Sequence, residues 1–221
     1  MTILHERDRF IQPIFRQLKE LQIPVRWQLC LNKPNSAVLA EVAALVPTAL
    51  VSIDVFDAPF SPLERKERFM ELRQWQLEQA PPTTYGVLWD DDHVLASVSE
   101  ARALLHRDYD LIYATKLFFW GDDEHFTTHI PTHRSVFFFR RLDGDRYPLD
   151  RTIHAPARIH DTGKRVVDLA GPLLDYGYLC ERDRERCWAD YKRCGKIDAS
   201  TLAIVQEPEL LPWKGPFPLR T

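Results

Sequence analysis

Short apolar runs alternate with longer amphipathic ones through the first half of the chain, a pattern that predicts strand-helix-strand units and a largely parallel sheet. Thr2 to His5 reads as a short first strand. Arg7 to Leu21 places Phe10, Ile14, Leu18 and Leu21 at helical spacing, and Pro24 ends the turn before a strand over Val25 to Leu31. Ser36 is placed to cap a helix running to Val46, with Val38, Val42 and Leu45 on one face. Ala49 to Phe56 reads as the next strand. Ser61 and Glu64 have the spacing of a capping box, with Pro62 at the first helical position, and open a long helix that ends before Pro81 and Pro82. Thr84 to Trp89 is the fourth strand, and it runs straight into Asp90-Asp91-Asp92-His93. Ser97 to Leu105 is helical.

Beyond this point the pattern changes. Asp110 to Trp120 and Ser135 to Arg141 are apolar, aromatic and β-branched, which predicts two antiparallel strands joined by the polar loop GDDEHFTTHIPTHR. Glu181 to Cys194 reads as a charged amphipathic helix burying Cys187, Trp188 and Tyr191. The tail EPELLPWKGPFPLRT, with its four prolines, is expected to lie extended over the body.

Composition narrows the classes. With 221 residues, 45% hydrophobic and 28% charged, the chain suits one compact domain. A net charge of -3 gives no basic excess for neutralising nucleic-acid phosphates, so nucleic acid is not an expected partner. No apolar run reaches the roughly 20 residues of a membrane span, and a soluble, cytoplasmic protein is expected. Cys180, Cys187 and Cys194 recur every seven residues, about 10 Å apart on a helix. That separation is too long for a shared zinc or a disulfide, so these and Cys30 are expected to be buried thiols.

The acidic run is the leading candidate for chemistry. Adjacent carboxylates repel one another unless a cation or hydrogen-bond donors offset the repulsion. Ligands of open parallel sheets sit beyond the carboxyl ends of strands, where this run is expected. Mg²⁺ and Mn²⁺ take oxygen ligands from one or two carboxylates together with substrate phosphates. Alternation along an extended segment would point Asp90 and Asp92 to one side and Asp91 to the other. Elsewhere, His125, His129 and His133 recur every four residues, but Pro131 and the paired threonines oppose a zinc-binding helix. The chain lacks GxGxxG, P-loop, GxSxG, HExxH and CxxC motifs.

The segment TTYGVLWDDDH resembles the strand and Asp-x-Asp motif of inverting, family 2-type glycosyltransferases of the GT-A fold. HERDRFIQPIFRQLKEL, KERFMELRQ, RSVFFFRR and LLDYGYLCERDRERCWADYKR are similar, in order, to that family's first loop and helix, basic helix, Arg-rich strand and closing element. The resemblance implies an α/β GT-A domain over 1–221 with a mixed, mostly parallel sheet. Its nucleotide-binding half would cover 1–96, its acceptor half 97–200 and an extended tail 201–221.

The implied activity is metal-dependent transfer of a sugar from a nucleotide-diphosphate donor to a glycan or other acceptor hydroxyl, in cell-surface polysaccharide or glycan synthesis. Asp90, Asp92 and Asp175 would hold Mn²⁺ or Mg²⁺, and Asp54, Arg68, Arg73, Asp90 and Asp91 would bind the donor. The base that deprotonates the acceptor is sought among Asp122, Asp123 and Glu124, with Asp123 preferred. In some relatives an acidic residue follows a His in the region matching IHAPAR, but here Ala155 follows His154. Two further readings stand beside this one: an idle GT-A-like binding module, and a nucleotidyltransferase of related fold, whose usual Gly-rich loop HERDRF does not supply.

Overall fold

The computed structural model describes residues 2–4, 10–59, 65–79, 81, 85–87, 89–127, 134–141, 165–185, 189 and 208–215. The expected helix over Ser36 to Val46 is shorter, Ser36–Ala43, and its N-cap is Asn35, whose Oδ1 accepts the Val38 N–H at 2.9 Å. An Asn side chain one residue earlier satisfies the donor expected to need Ser36. The first helix runs over Ile11–Glu20 and buries Ile11, Ile14, Phe15 and Leu18, as its spacing predicts. We label these α1 (Ile11–Glu20) and α2 (Ser36–Ala43).

Three strands, β1 (Thr2–Leu4), β2 (Val25–Leu31) and β3 (Val51–Asp57), form a parallel sheet in the order β1-β2-β3. Here the expectation from alternating apolar runs holds, and β2 pairs with β3 from Val25↔Val51 to Leu31↔Asp57. α3 (Arg65–Gln79) follows. The capping box at Ser61, Pro62 and Glu64 lies outside the described residues.

The expectation of a mostly parallel sheet fails in the second half. There, β4 (Tyr85–Val87), β5 (His93–Leu95), β6 (Leu111–Trp120), β7 (His125–Thr127), β8 (Arg134–Arg140), β9 (Val166–Asp168), β10 (Leu173–Tyr178) and β11 (Leu210–Pro212) make one mixed sheet among the described residues. β6 is its axis. The first half of β6 lies between antiparallel β8 and parallel β9, and its second half between antiparallel β7 and parallel β10. The pairs β4–β8, β5–β10 and β7–β11 are also antiparallel. Short connections impose this arrangement: only four residues separate β6 from β7, too few for the crossover that a parallel neighbour requires. The tail contributes β11 to this sheet, an extended segment as its prolines suggested.

β4 therefore belongs to the later sheet, as a partner of β8; of the expected Thr84 to Trp89 strand, Thr84 and Leu88 lie outside the described residues and Trp89 is not in a strand. α4 (Val98–Leu105) is capped by Ser97, whose side chain accepts from Glu100 N–H. Core side chains from α1, β2, β5, β6 and β10 form a common cluster that includes Ile14, Leu18, Leu29, Leu95, Phe119, Leu174 and Tyr176. Gln17 of α1 crosses this interface: its amide donates to Leu95 O at 2.8 Å and its Oε1 accepts Leu95 N–H at 2.9 Å, which ties α1 to β5. Residues 181–185 begin the expected charged helix, while Cys187, Trp188, Tyr191 and Cys194 lie outside the described residues. Cys30 is a buried free thiol and Cys180 a half-buried one.

Candidate metal centre

The acidic run does not continue a strand. Asp90 to Asp92 form a turn between β4 and β5, closed by His93 N–H donating to Asp90 O at 3.2 Å. Alternation across an extended backbone therefore does not apply, and Asp92 acts with its neighbour His93 instead of with Asp90. The turn is held from below by Trp89, which is fully buried, stacks edge-on against Phe137 and donates its indole N–H to His93 O at 2.8 Å.

β10 supplies the other side. His93 and Asp175 are cross-strand neighbours in the antiparallel β5–β10 pair, which brings His93 Nε2 within 3.1 Å of Asp175 Oδ2. Asp92 Oδ1 lies 3.5 Å from the same nitrogen. One ligand atom from each of Asp92, His93 and Asp175 falls within 4.8 Å of the others, the spacing of a divalent cation's ligand set. The Tyr176 N–H donates to Asp92 O at 2.9 Å, and the Gly177 N–H to Asp175 Oδ1 at 3.0 Å, so the backbone of β10 orients both carboxylates.

Gly177 is required by the close approach of these groups. A Cβ there would sit 2.8 Å from Asp92 Oδ2 and 3.1 Å from Asp175 Oδ1. Gly177→Ala is expected to fold but to weaken Mn²⁺ binding at least about tenfold, because two short carboxylates, half-buried Asp92 and buried Asp175, must both retreat from it. Calorimetric titration of Mn²⁺ checks this, and unchanged affinity would refute the packing argument.

Two cations face the centre. Arg73 on α3 is buried and reaches Asp90 Oδ1 at 3.5 Å. Lys116 on β6 places Nζ 3.0 Å from His93 Nε2. The electrostatics follow from burial and these charges. Desolvation, then the Asp175 and Asp90 charges, push Asp92 up to about 6, against the opposing effects of His93 and Lys116. Burial and Lys116 act to lower His93, yet the charges of Asp175 and Asp90 and the Asp175 hydrogen bond leave it raised. Burial acts to raise Asp175, but the His93 charge and hydrogen bond, with Lys116 and the Gly177 N–H, hold it below the ordinary carboxylate range. Among the described residues His93 Nδ1 is buried without a hydrogen-bond partner, 3.6 Å from Asp90 Oδ2.

The donor set of two carboxylates and one imidazole fits a divalent cation. Its nitrogen ligand suits a transition metal better than Mg²⁺, which favours oxygen throughout. Of the residues expected to be ligands, Asp92 and Asp175 are brought together, whereas Asp90 stands behind His93 and pairs with Arg73. Asp91, in the same turn, is half-buried. His93 closes the DDDH run and Lys116 is the lone charge in the apolar strand LIYATKLFFW; both signals are present in the sequence, but an all-oxygen ligand set for Mg²⁺ or Mn²⁺ does not include the imidazole.

The remaining expected residues lie elsewhere. Asp54 and Arg68 line a separate cavity of about 660 Å³ between β2–β3 and α3, with Arg26, Phe56, Asp57 and Trp75. Asp54 pairs with Arg26, and Arg68 with Glu71 at 2.7 Å. Arg68, Leu72 and Trp75 share one face of α3 by their spacing, while Met70, Arg73 and Leu77 share the opposite, buried face, so this cavity and the acidic centre flank different sides of the helix. Asp122 caps the β6–β7 turn. It accepts from the Glu124 and His125 N–H groups at 2.8 Å each and lies 3.0 Å from His125 Nδ1; burial acts to raise it, but these bonds hold it low. Asp123 acts on the phenol of Tyr176, which burial and the Asp123 charge push up. Neither belongs to the Asp92, His93 and Asp175 group. His129, His133 and His154 lie outside the described residues.

No family model matches the sequence, and no curated protein is significantly similar to it. The solved structure of HddC from Yersinia pseudotuberculosis is similar over 86% of this chain and 98% of its own, with 12% identity and a TM-score of 0.42. Likeness at that level assigns neither a fold family nor an activity to this chain.

Proposed function

We propose that this protein is a divalent-metal-dependent transferase acting on a nucleotide phosphate ligand, with Asp92, His93 and Asp175 as the metal ligands. The observation that carries the reading is the convergence of these three side chains within 4.8 Å beside two buried or half-buried cations, Arg73 and Lys116. A bound cation of this kind would neutralise charge that develops on a departing phosphate group. The chain's own contribution is positional. The Trp89-supported turn and the Gly177 backbone set the carboxylates, and the guanidinium and ammonium offer donors to phosphate oxygens.

Two reactions fit such a centre. Sugar transfer from a nucleotide-diphosphate donor to a hydroxyl is supported by the order of the motifs that resemble family 2-type glycosyltransferases. Nucleotidyl transfer is favoured by a specific observation: of the carboxylates expected to serve as a base, Asp122 is engaged at the β6–β7 turn, and neither it nor Asp123 belongs to the Asp92, His93 and Asp175 group. In nucleotidyl transfer a substrate phosphate oxygen forms the new bond to the α-phosphorus and pyrophosphate leaves, so no side chain has to remove a proton from a hydroxyl. The GT-A assignment itself belongs to the first of these proposals.

A thermal-shift panel tests the common premise. Nucleoside triphosphates and UDP, GDP and CMP sugars, each with and without Mn²⁺, are expected to yield at least one metal-dependent rise in Tm; a ligand at a hundred times its Kd adds about 2.7 kcal/mol of stability. Pyrophosphate release from a triphosphate with a sugar phosphate would select nucleotidyl transfer, and nucleoside diphosphate release would select sugar transfer. No metal-dependent shift with any ligand would reject the enzyme reading and leave an idle binding module.

A further inference from the structure

Lys116 points at a prospective metal ligand atom. Its Nζ stands 3.0 Å from His93 Nε2, the nitrogen that also faces Asp92 Oδ1 at 3.5 Å and Asp175 Oδ2 at 3.1 Å. An ammonium has three donors and no acceptor, so it can engage this nitrogen only through the imidazole lone pair. A metal ion requires that same lone pair. Among the described residues His93 Nδ1 is buried without a hydrogen-bond partner and lies 3.6 Å from Asp90 Oδ2, so Lys116 Nζ is the cation set against the ring at Nε2.

We infer that Lys116 is a resident cation of this centre, which competes with a divalent metal ion for His93 Nε2 and so sets the affinity of the site. This rests on the reading of Asp92, His93 and Asp175 as metal ligands. Lys116 sits at the middle of β6, in register with Leu173 two residues before Asp175, so the strand pairing holds the ammonium close to the carboxylates. Its charge bears on Asp92, His93 and Asp175 together. In the metal-free protein it offsets carboxylate repulsion; when a dication enters, the same charge opposes it. Loading therefore requires the ammonium to leave the imidazole, and a phosphate oxygen of a nucleotide ligand would be the group to receive it.

The test is Mn²⁺ titration of the full chain, metal alone, followed by the loss of the free-ion electron paramagnetic resonance signal. Lys116→Met removes the charge and keeps the length of the side chain, and is expected to bind Mn²⁺ at least about tenfold more tightly than wild type. Lys116→Gln is measured alongside in case the apolar variant fails to fold, with circular dichroism as the check, and is expected to tighten in the same direction. Lys116→Arg, which keeps the charge, is expected to bind no more tightly than wild type. Tighter binding in the two neutral variants alone supports the inference. If wild type binds Mn²⁺ and the neutral variants bind it equally or less tightly, Lys116 is not a competitor and the metal centre stands without it. If no variant binds, the metal reading itself fails and the inference falls with it.

Discussion

Asp92→Asn is expected to stabilise the metal-free protein at pH 7 by on the order of 3 kcal/mol while abolishing Mn²⁺ binding. The sign follows from the position of the carboxyl group. Its pKa is raised from an ordinary 3.8 to about 6, with desolvation the leading cause and the Asp175 charge next. The folded state thus holds this proton more tightly than the unfolded chain does, and stability is highest below the unfolded value. It falls as pH rises from about 4 to about 6, and the full cost applies above that window; at about 1.36 kcal/mol per unit, a rise of this size amounts to roughly 3 kcal/mol.

Asparagine keeps the shape and removes the charge. Urea unfolding at pH 7 and pH 4, without metal, is the measurement: the gain is expected at pH 7 and nearly absent at pH 4. Equal stabilities at pH 7 would show that Asp92 is not electrostatically frustrated. Saturating Mn²⁺ should then reverse the ranking, because the ion stabilises only the chain that binds it. A residue that lowers stability until a ligand arrives is the mark of a functional position.

Phe119→Ala should cost about 3 to 5 kcal/mol, a large share of the stability of a domain this size. Phe119 is fully buried at the middle of the mixed sheet. Its ring stacks on Tyr176 with centroids 4.7 Å apart and meets Trp213, near the β11 strand, edge-on at 5.8 Å. Tyr176 in turn stacks on Phe10 at 5.3 Å. Truncation removes the contact that joins three separate segments, and the rigid sheet has no way to close the void. Because Tyr176 follows Asp175 directly, the variant is also expected to bind Mn²⁺ more weakly. Chemical denaturation supplies the first figure and metal titration the second; a loss below about 1 kcal/mol would mean that the aromatic stack contributes little.

The contrast between the two halves of the chain explains what the sequence made legible. Apolar spacing identified α1 through Ile14 and Leu18, and found β2, β3, β6 and β8 to within two residues, because each has a strong local period. β5, β7, β9 and β11 have only three residues apiece, too few to show a period; β5, β7 and β9 pair with the longer β10 or β6, and β11 adds to the equally short β7. The antiparallel character of the later sheet was equally hidden beyond β6 and β8, since pairing direction depends on which strands meet.

By itself the sequence determined that Asp90 to Asp92 form a concentrated charge that demands an offset, whereas Asp175 was reached only through the family resemblance. The first conclusion follows from local composition, because repulsion acts on any chain that brings such groups together. Only the tertiary structure decided the offset. The turn after Trp89 exchanged Asp90 for His93, the β5–β10 register set Asp175 opposite that imidazole, and β6 delivered Lys116 to the same nitrogen. Those choices depend on contacts between residues 23 and 82 positions apart, and a distance in space between such residues is fixed by strand pairing, which no local pattern encodes.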